Sequence, residues 1–152
     1  MASVYTDPVI AKDGTNMTVM DAVAGTEFNR VYLMFGVNET GWVKADIFID
    51  DYRKILEDIR ATHPKAEIYV QSVLPVSQAV SDTHSYVKND KISQYNELLQ
   101  KMAEEEKVTY VNVAEAVSVN GVLPDDAALD GIHLNQEYCQ KWLVYLTEHT
   151  GK

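Results

Sequence analysis

The sequence predicts an α/β fold in which a parallel sheet is covered by helices on both faces. Three observations carry this reading. Short apolar runs of strand length alternate with longer segments of helical period, the pattern of βαβ units. One run, Arg30-Val31-Tyr32-Leu33-Met34-Phe35, is apolar at successive positions, which suits a strand covered on both sides. The chain, at 152 residues with 46% hydrophobic content, is long enough to bury one full-sized core. No repeat, linker or low-complexity stretch divides it, so one domain over residues 1–152 is expected.

Taken in order, Ser3 to Thr6 is β-prone and reads as a short strand ended by Asp7-Pro8. Asp13-Gly14-Thr15-Asn16 is a turn signal. Thr18-x-x-Asp21 ahead of Ala22, Val23 and Ala24 has the form of a capping box, and Gly25 closes the short helix. The strand at 30–35 stops at Gly36. From about Asp46 to Thr62, Ile47, Tyr52, Ile55, Leu56 and Ile59 recur at helical spacing until His63-Pro64 ends the helix. Glu67 to Val73 is the next strand, and Leu74-Pro75 turns it into a long polar loop reaching about Asn89. Asp90 is placed to cap a helix carrying Ile92, Tyr95, Leu98, Leu99 and Met102, with Glu104 to Lys107 as its solvated end. Val108 to Val113 is a strand, Ala114 to Val117 a short helical turn and Asn120-Gly121 a tight turn. Asn135 caps a last helix with Tyr138, Cys139, Trp142, Leu143 and Leu146 expected to face inward.

Charge narrows the partners. Thirteen Lys and Arg against 23 Asp and Glu leave a formal charge of −10, which repels nucleic-acid backbones and anionic lipid surfaces. No run has the length of a membrane span. The lone Cys139 has no partner for an intrachain disulfide and reads as core or near-core, with catalytic use the minor alternative because no His stands beside it in sequence. His63, His84 and His149 are scattered without metal-ligand spacing, so neither zinc nor another cofactor is expected.

The chemistry concentrates at Asp130-Gly131-Ile132-His133-Leu134. Residues three apart in a tight turn share a face, so Asp130 can accept the Nδ1 proton of His133 and leave Nε2 free as a base. Gly131 eases the turn. In an open parallel sheet, ligand sites lie beyond the carboxyl ends of the strands, and the loop from Gly36 to Trp42 leaves one such end. Asn38 offers a side-chain NH₂ for a developing oxyanion, and Gly36 removes a side chain that would block close approach. Taken singly, Gly36-x-Asn38 reads equally as a strand-ending turn. Trp42 and Tyr86 are candidate cleft walls, with Trp42 packing over its own loop.

Gly36-Val37-Asn38-Glu39 after a hydrophobic strand and Asp130-x-x-His133 before the last helix together resemble the SGNH, or GDSL-type, esterases and acylhydrolases. The Val73-Leu74-Pro75 strand exit, the helix carrying Ile92, Tyr95, Asn96 and Leu98, and Gly121-x-Leu123 extend the resemblance over roughly residues 30 to 146. It implies a three-layer sandwich with a flavodoxin-like sheet of order 2-1-3-4-5. It also implies His133 as general base, Asp130 as its orienting acid and Asn38 as oxyanion donor. A short acyl ester, on a carbohydrate or similar polar alcohol, is the implied substrate. Glu39 replaces the usual Asp, a change that touches a loop-holding role, and Gly14 is a weak match for the family's second oxyanion glycine.

The family's nucleophile is the serine of a Gly-Asp-Ser block, and no such block occurs in this chain. Nor is there a Gly-x-Ser-x-Gly elbow. Ser72 falls in an expected strand and Ser93 in an expected helix. Ser3, Ser77, Ser81, Ser85 and Ser118 lack the Gly-flanked turn that exposes a hydroxyl beside a base. The expectation is a chain starting after the first strand and its serine, inactive alone, with residues 3–6 as the second strand. The slot beside residues 30–35 would then be closed by residues 3–6 or by a second copy, giving a homodimer through sheet-edge pairing. A non-catalytic module that keeps the fold is the competing function. A phosphoacceptor receiver domain fits poorly, because Asp7 stands alone before Pro8 where paired acids are needed.

Overall fold

A computed structural model describes residues 3–11 and 13–151. Its centre is a three-stranded parallel sheet of order β3-β4-β5, formed by β3 (Arg30–Leu33), β4 (Glu67–Gln71) and β5 (Thr109–Val111). Each crossover is helical: α3 (Ala45–Thr62) links β3 to β4, and α5 (Asn89–Glu106) links β4 to β5. Along β4, Ile68 and Val70 face the α3/α5 layer, while Tyr69 and Gln71 face α6 (Gln136–His149). All four are buried, so both faces of the strand are covered, and the one polar side chain, Gln71, is bonded by Trp142. This is the mixed α/β, three-layer arrangement that the alternating pattern predicts.

The α3 stripe is the principal core. Phe48, Tyr52, Ile55, Leu56 and Ile59 are at most 1% exposed, each apolar side chain contributing about 1.5–3 kcal/mol by leaving water. Ile47, assigned to the same stripe from spacing, is half exposed. The Tyr52 hydroxyl is enclosed beside the Phe35 backbone without a hydrogen bond of normal geometry among the described residues, and burial pushes its pKa far up. An unsatisfied buried hydroxyl is a net cost. Tyr52→Phe is therefore expected to leave stability unchanged or to raise it by up to about 1 kcal/mol, read by urea unfolding. A loss above about 2 kcal/mol would mean the hydroxyl is bonded in solution.

The amino-terminal segment departs from expectation. Residues Ser3–Thr6 form a helical turn, α1, not a strand: the Asp7 N–H donates to the Ser3 carbonyl, Val4 is buried, and the Tyr5 hydroxyl donates to Asp58 of α3. Four β-prone residues make too weak a local preference to withstand those tertiary contacts. Pro8 begins a strand instead of ending one: β1 (Pro8–Ile10) pairs antiparallel with β2 (Asn16–Thr18) across the expected turn. Thr18 then caps α2 (Val19–Ala24) through the expected reciprocal box with Asp21. Because residues 3–6 are helical, they do not close the slot beside β3. Among the described residues β3 pairs only with β4, and its outer edge is open.

Two further differences bear on the site. The expected polar loop 74–89 contains a short helix, α4 (Gln78–Thr83), capped by Ser77. Asp90 does not cap α5; the helix begins at Asn89, whose side chain is turned toward Val76. In α6 only Tyr138 and Leu146 are buried, Trp142 is half-buried, and Cys139 and Leu143 are exposed. Leu143 and Trp142 line a groove that runs beside the open β3 edge past Tyr32 and Met34. The periodicity reported an apolar face correctly, but no described element covers that part of it.

Candidate active site

The loop after β3 is built around Gly36, whose φ of 138° is one that side-chain-bearing residues rarely adopt. A Cβ there would stand 2.5 Å from Val73 Cγ2 and 3.2 Å from Phe48. Its carbonyl accepts from both Glu39 N–H (3.0 Å) and Thr40 N–H (3.1 Å), winding the chain into a 3₁₀ turn at Glu39–Gly41. The Tyr95 hydroxyl of α5 donates to the Glu39 carbonyl at 2.6 Å and pins the turn from below. Asn38 precedes the turn without capping it, and its exposed side chain makes no hydrogen bond within the described residues. Its NH₂ is thus available to a ligand.

The second loop is a local device. Asp130 Oδ1 accepts from the Ile132 and His133 N–H groups at 2.9 and 2.8 Å, and Oδ2 lies 2.6 Å from His133 Nδ1. Gly131, at φ 74°, makes the reversal possible. With Nδ1 donating to the carboxylate, Nε2 is left as the acceptor. The His133 hydrogen bond, followed by the backbone donors, holds the Asp130 carboxyl well below the usual carboxylate range. A depressed carboxylate stabilises the folded state above its unfolded pKa, near 4, and that contribution fades as pH falls through the folded value. Asp130 is half exposed and water screens it, so the effect on global stability is small. Carbon-13 NMR is expected to find the Asp130 carboxylate still ionised at pH 3; a midpoint near 4 would show that the bond to His133 is not kept in solution.

Asn38, Gly36 and His133 all line one cleft of about 460 Å³, walled largely by Phe35, Val37, Val73, Leu74, Ile132 and Trp142. The structure therefore brings Asn38 and the Asp130-bonded His133 to one cleft from loops roughly ninety residues apart in the chain. Trp42 and Tyr86 do not line this cleft; the Tyr86 ring packs on Gly41, where a Cβ would stand 2.9 Å away. Gly14 lies in the β1–β2 turn with open space around it and is also absent from the cleft. Two residues that sequence reasoning set aside do line it: Ser3 and Cys139. The position of Cys139, four residues after the helix cap that follows the His133 loop, was a usable signal. Nothing local marks Ser3. Its hydroxyl is not hydrogen-bonded to His133.

The model of the GDSL-like lipase/acylhydrolase family matches residues 7–140. The chain belongs to the GDSL-like lipase/acylhydrolase family. Solved structures share the fold of this GDSL-like chain. A protein provisionally described as a platelet activating factor from Streptococcus pneumonia matches with TM-score 0.73 and 24% identity, over 80% of this chain and 59% of that one. A GDSL-like lipase from Bacteroides thetaiotaomicron matches at 0.64 and 19%, over 80% and 61%. A carbohydrate esterase family 3 protein from Talaromyces cellulolyticus matches at 0.66 and 19%, over 86% and 61%. The GDSL-like chain thus spans about three fifths of the length of these proteins. No curated protein matches it. No described helix is long and apolar enough to cross a membrane.

Proposed function

We propose that this GDSL-like chain carries the acid–base and oxyanion parts of a serine ester hydrolase acting on short acyl esters of a small or carbohydrate alcohol. The observation that carries the reading is the 2.6 Å Asp130–His133 bond at the mouth of a cleft shared with the unengaged Asn38 amide. A serine Oγ would attack the ester carbonyl carbon while His133 Nε2 takes its proton. The carbonyl oxygen becomes an oxyanion facing the Asn38 NH₂. His133 then returns the proton to the leaving alcohol, and water, deprotonated by His133 in turn, cleaves the acyl-serine. Asp130 stabilises the imidazolium in both halves. Among the described residues no Lys or Arg lines the cleft and its walls are mainly apolar, which favours an uncharged acyl group over a phosphorylated or carboxylated one. Family membership supports the reaction type.

Ser3 lines the cleft but makes no hydrogen bond to His133, and four other serines are engaged elsewhere. Ser72 accepts from Ala114 N–H, Ser77 caps α4, Ser81 accepts from Asn89 N–H and Ser118 donates to the Ala114 carbonyl. The open β3 edge can take an extended segment in parallel pairing, and the nucleophile would sit on that segment. A strand there would end beside the cleft, since the edge groove and the cleft share Met34, Phe35 and Trp142.

The test is p-nitrophenyl acetate turnover by residues 1–152 alone and joined to a strand–turn segment ending in Gly-Asp-Ser. The chain alone is expected to show no His133-dependent turnover, and the joined protein to gain it. Turnover by the chain alone that vanishes in both His133→Ala and Ser3→Ala would overturn the missing-serine reading and make Ser3 the nucleophile. A joined protein that folds, pairs at β3 and turns over nothing would make this a binding module. A second copy on the same edge is the competing occupant and would appear as a dimer in light scattering.

A further inference from the structure

Between β4 and α4 the chain runs through Val73-Leu74-Pro75-Val76, three of whose residues line the cleft. Pro75 has no N–H, and sheet pairing ends at Ser72, whose N–H donates to the Val111 carbonyl. Beyond it, two asparagines of α5 replace the missing strand partner. Asn96 Oδ1 accepts from Val73 N–H at 2.7 Å, and its Nδ2 donates to the Val73 carbonyl at 3.0 Å. Two helical turns earlier, Asn89 does the same for Val76, at 2.8 and 2.9 Å. One edge of a carboxamide presents an N–H beside a C=O, which matches the C=O and N–H of a single residue, so each two-point contact fixes both position and tilt of the backbone it holds.

Each clamped residue in turn abuts one of the two site loops. Val73 Cγ2 fills the space where a Gly36 side chain would be, directly under the Asn38 loop. Val76 leads into Ser77, whose N–H donates to the Gly131 carbonyl at 2.8 Å and whose Oγ fills the space a Cβ on Gly131 would need. We propose that Asn96 and Asn89 are positioning residues: Asn96 sets the Asn38 loop, Asn89 sets the Asp130–His133 loop, and the rigid spacing between them along α5 sets the separation of oxyanion donor and base. The inference rests on the reading of Asn38 and His133 as parts of one acyl-transfer site, but its test does not depend on turnover.

The experiment is nitrogen-15 NMR of residues 1–152, following the His133 imidazole and the Asn38 side-chain NH₂, with thermal unfolding recorded alongside. Asn89→Leu, nearly isosteric and without hydrogen-bonding groups, should alter the His133 Nδ1–H signal and leave the Asn38 NH₂ signal in place. Asn96→Leu should do the reverse. If either fails to fold, Asn89→Asp and Asn96→Asp keep the acceptor for the valine N–H, lose the donor, and should give a smaller shift in the same selective sense. Folded variants with both signals unmoved, or with both moved equally by either change, would overturn the assignment and leave the asparagines as stabilisers only. If signals move as expected but the serine-bearing protein shows no His133-dependent turnover, the acyl-transfer reading fails and the clamp stands.

Discussion

Gly36→Ala is expected to destabilise the protein by about 2–6 kcal/mol, combining roughly 1–3 for a disallowed backbone conformation with roughly 1–3 for overpacking. Both terms act at one atom. A Cβ at Gly36 meets Val73 Cγ2 at 2.5 Å and Phe48 at 3.2 Å, and neither neighbour has room to retreat, since both are buried in the main core. Against a total stability on the order of 5–15 kcal/mol, this is a large fraction. Circular dichroism melts should show Tm lowered by roughly 10 °C. A change under about 1 kcal/mol would mean that the loop relaxes freely, and the tight approach of Gly36 to Val73 would then have no bearing on where Asn38 sits.

The largest effect is expected on catalysis once a serine is present. In the serine-bearing protein, His133→Ala should reduce kcat by about 10⁴- to 10⁶-fold, because serine is not deprotonated at neutral pH without a base. Asp130→Asn keeps a group of the same shape but offers His133 the wrong partner, and should cost on the order of 10⁴-fold through the disfavoured tautomer. Asn38→Ala should cost about 10²- to 10³-fold in kcat with KM little changed, since in the proposed mechanism it contacts an oxygen whose charge develops only in the transition state. Single-turnover kinetics with an activated ester separates these. Asp130→Asn at near wild-type rate would remove Asp130 from the mechanism despite its 2.6 Å bond to His133.

Some of the site was legible because its interactions are local. Asp130 and His133 meet through a three-residue spacing and a glycine, and Thr18 and Asp21 through a capping box of the same span. Such pairs need only short-range geometry, which the order of residues specifies directly. The alternation of apolar runs and helical stripes likewise announced the parallel sheet. Other elements were illegible for the opposite reason. Ser3–Thr6 has β-prone residues and is helical because Val4 and Tyr5 find partners on distant elements, Tyr5 on Asp58. Cys139 and Leu143 lie on the apolar stripe of α6 and are exposed, because a stripe says which face seeks cover and not whether cover is present.

By itself the sequence determined the α/β class, the crossover helices, the Asp130–His133 pair and the candidacy of Gly36 and Asn38. Each follows from residue type and spacings of a few positions. Only the tertiary structure decided that Ser3 and Cys139 line the cleft shared by Asn38 and His133, and that the outer edge of β3 is open. It alone showed Asn89 and Asn96 gripping Val76 and Val73 across 13 and 23 residues of chain. The physical reason is that a carboxamide bonding to a peptide group has no preferred partner in sequence. Its partner is whichever backbone the packing of α5 against the sheet brings within reach, and that packing is a property of the whole core.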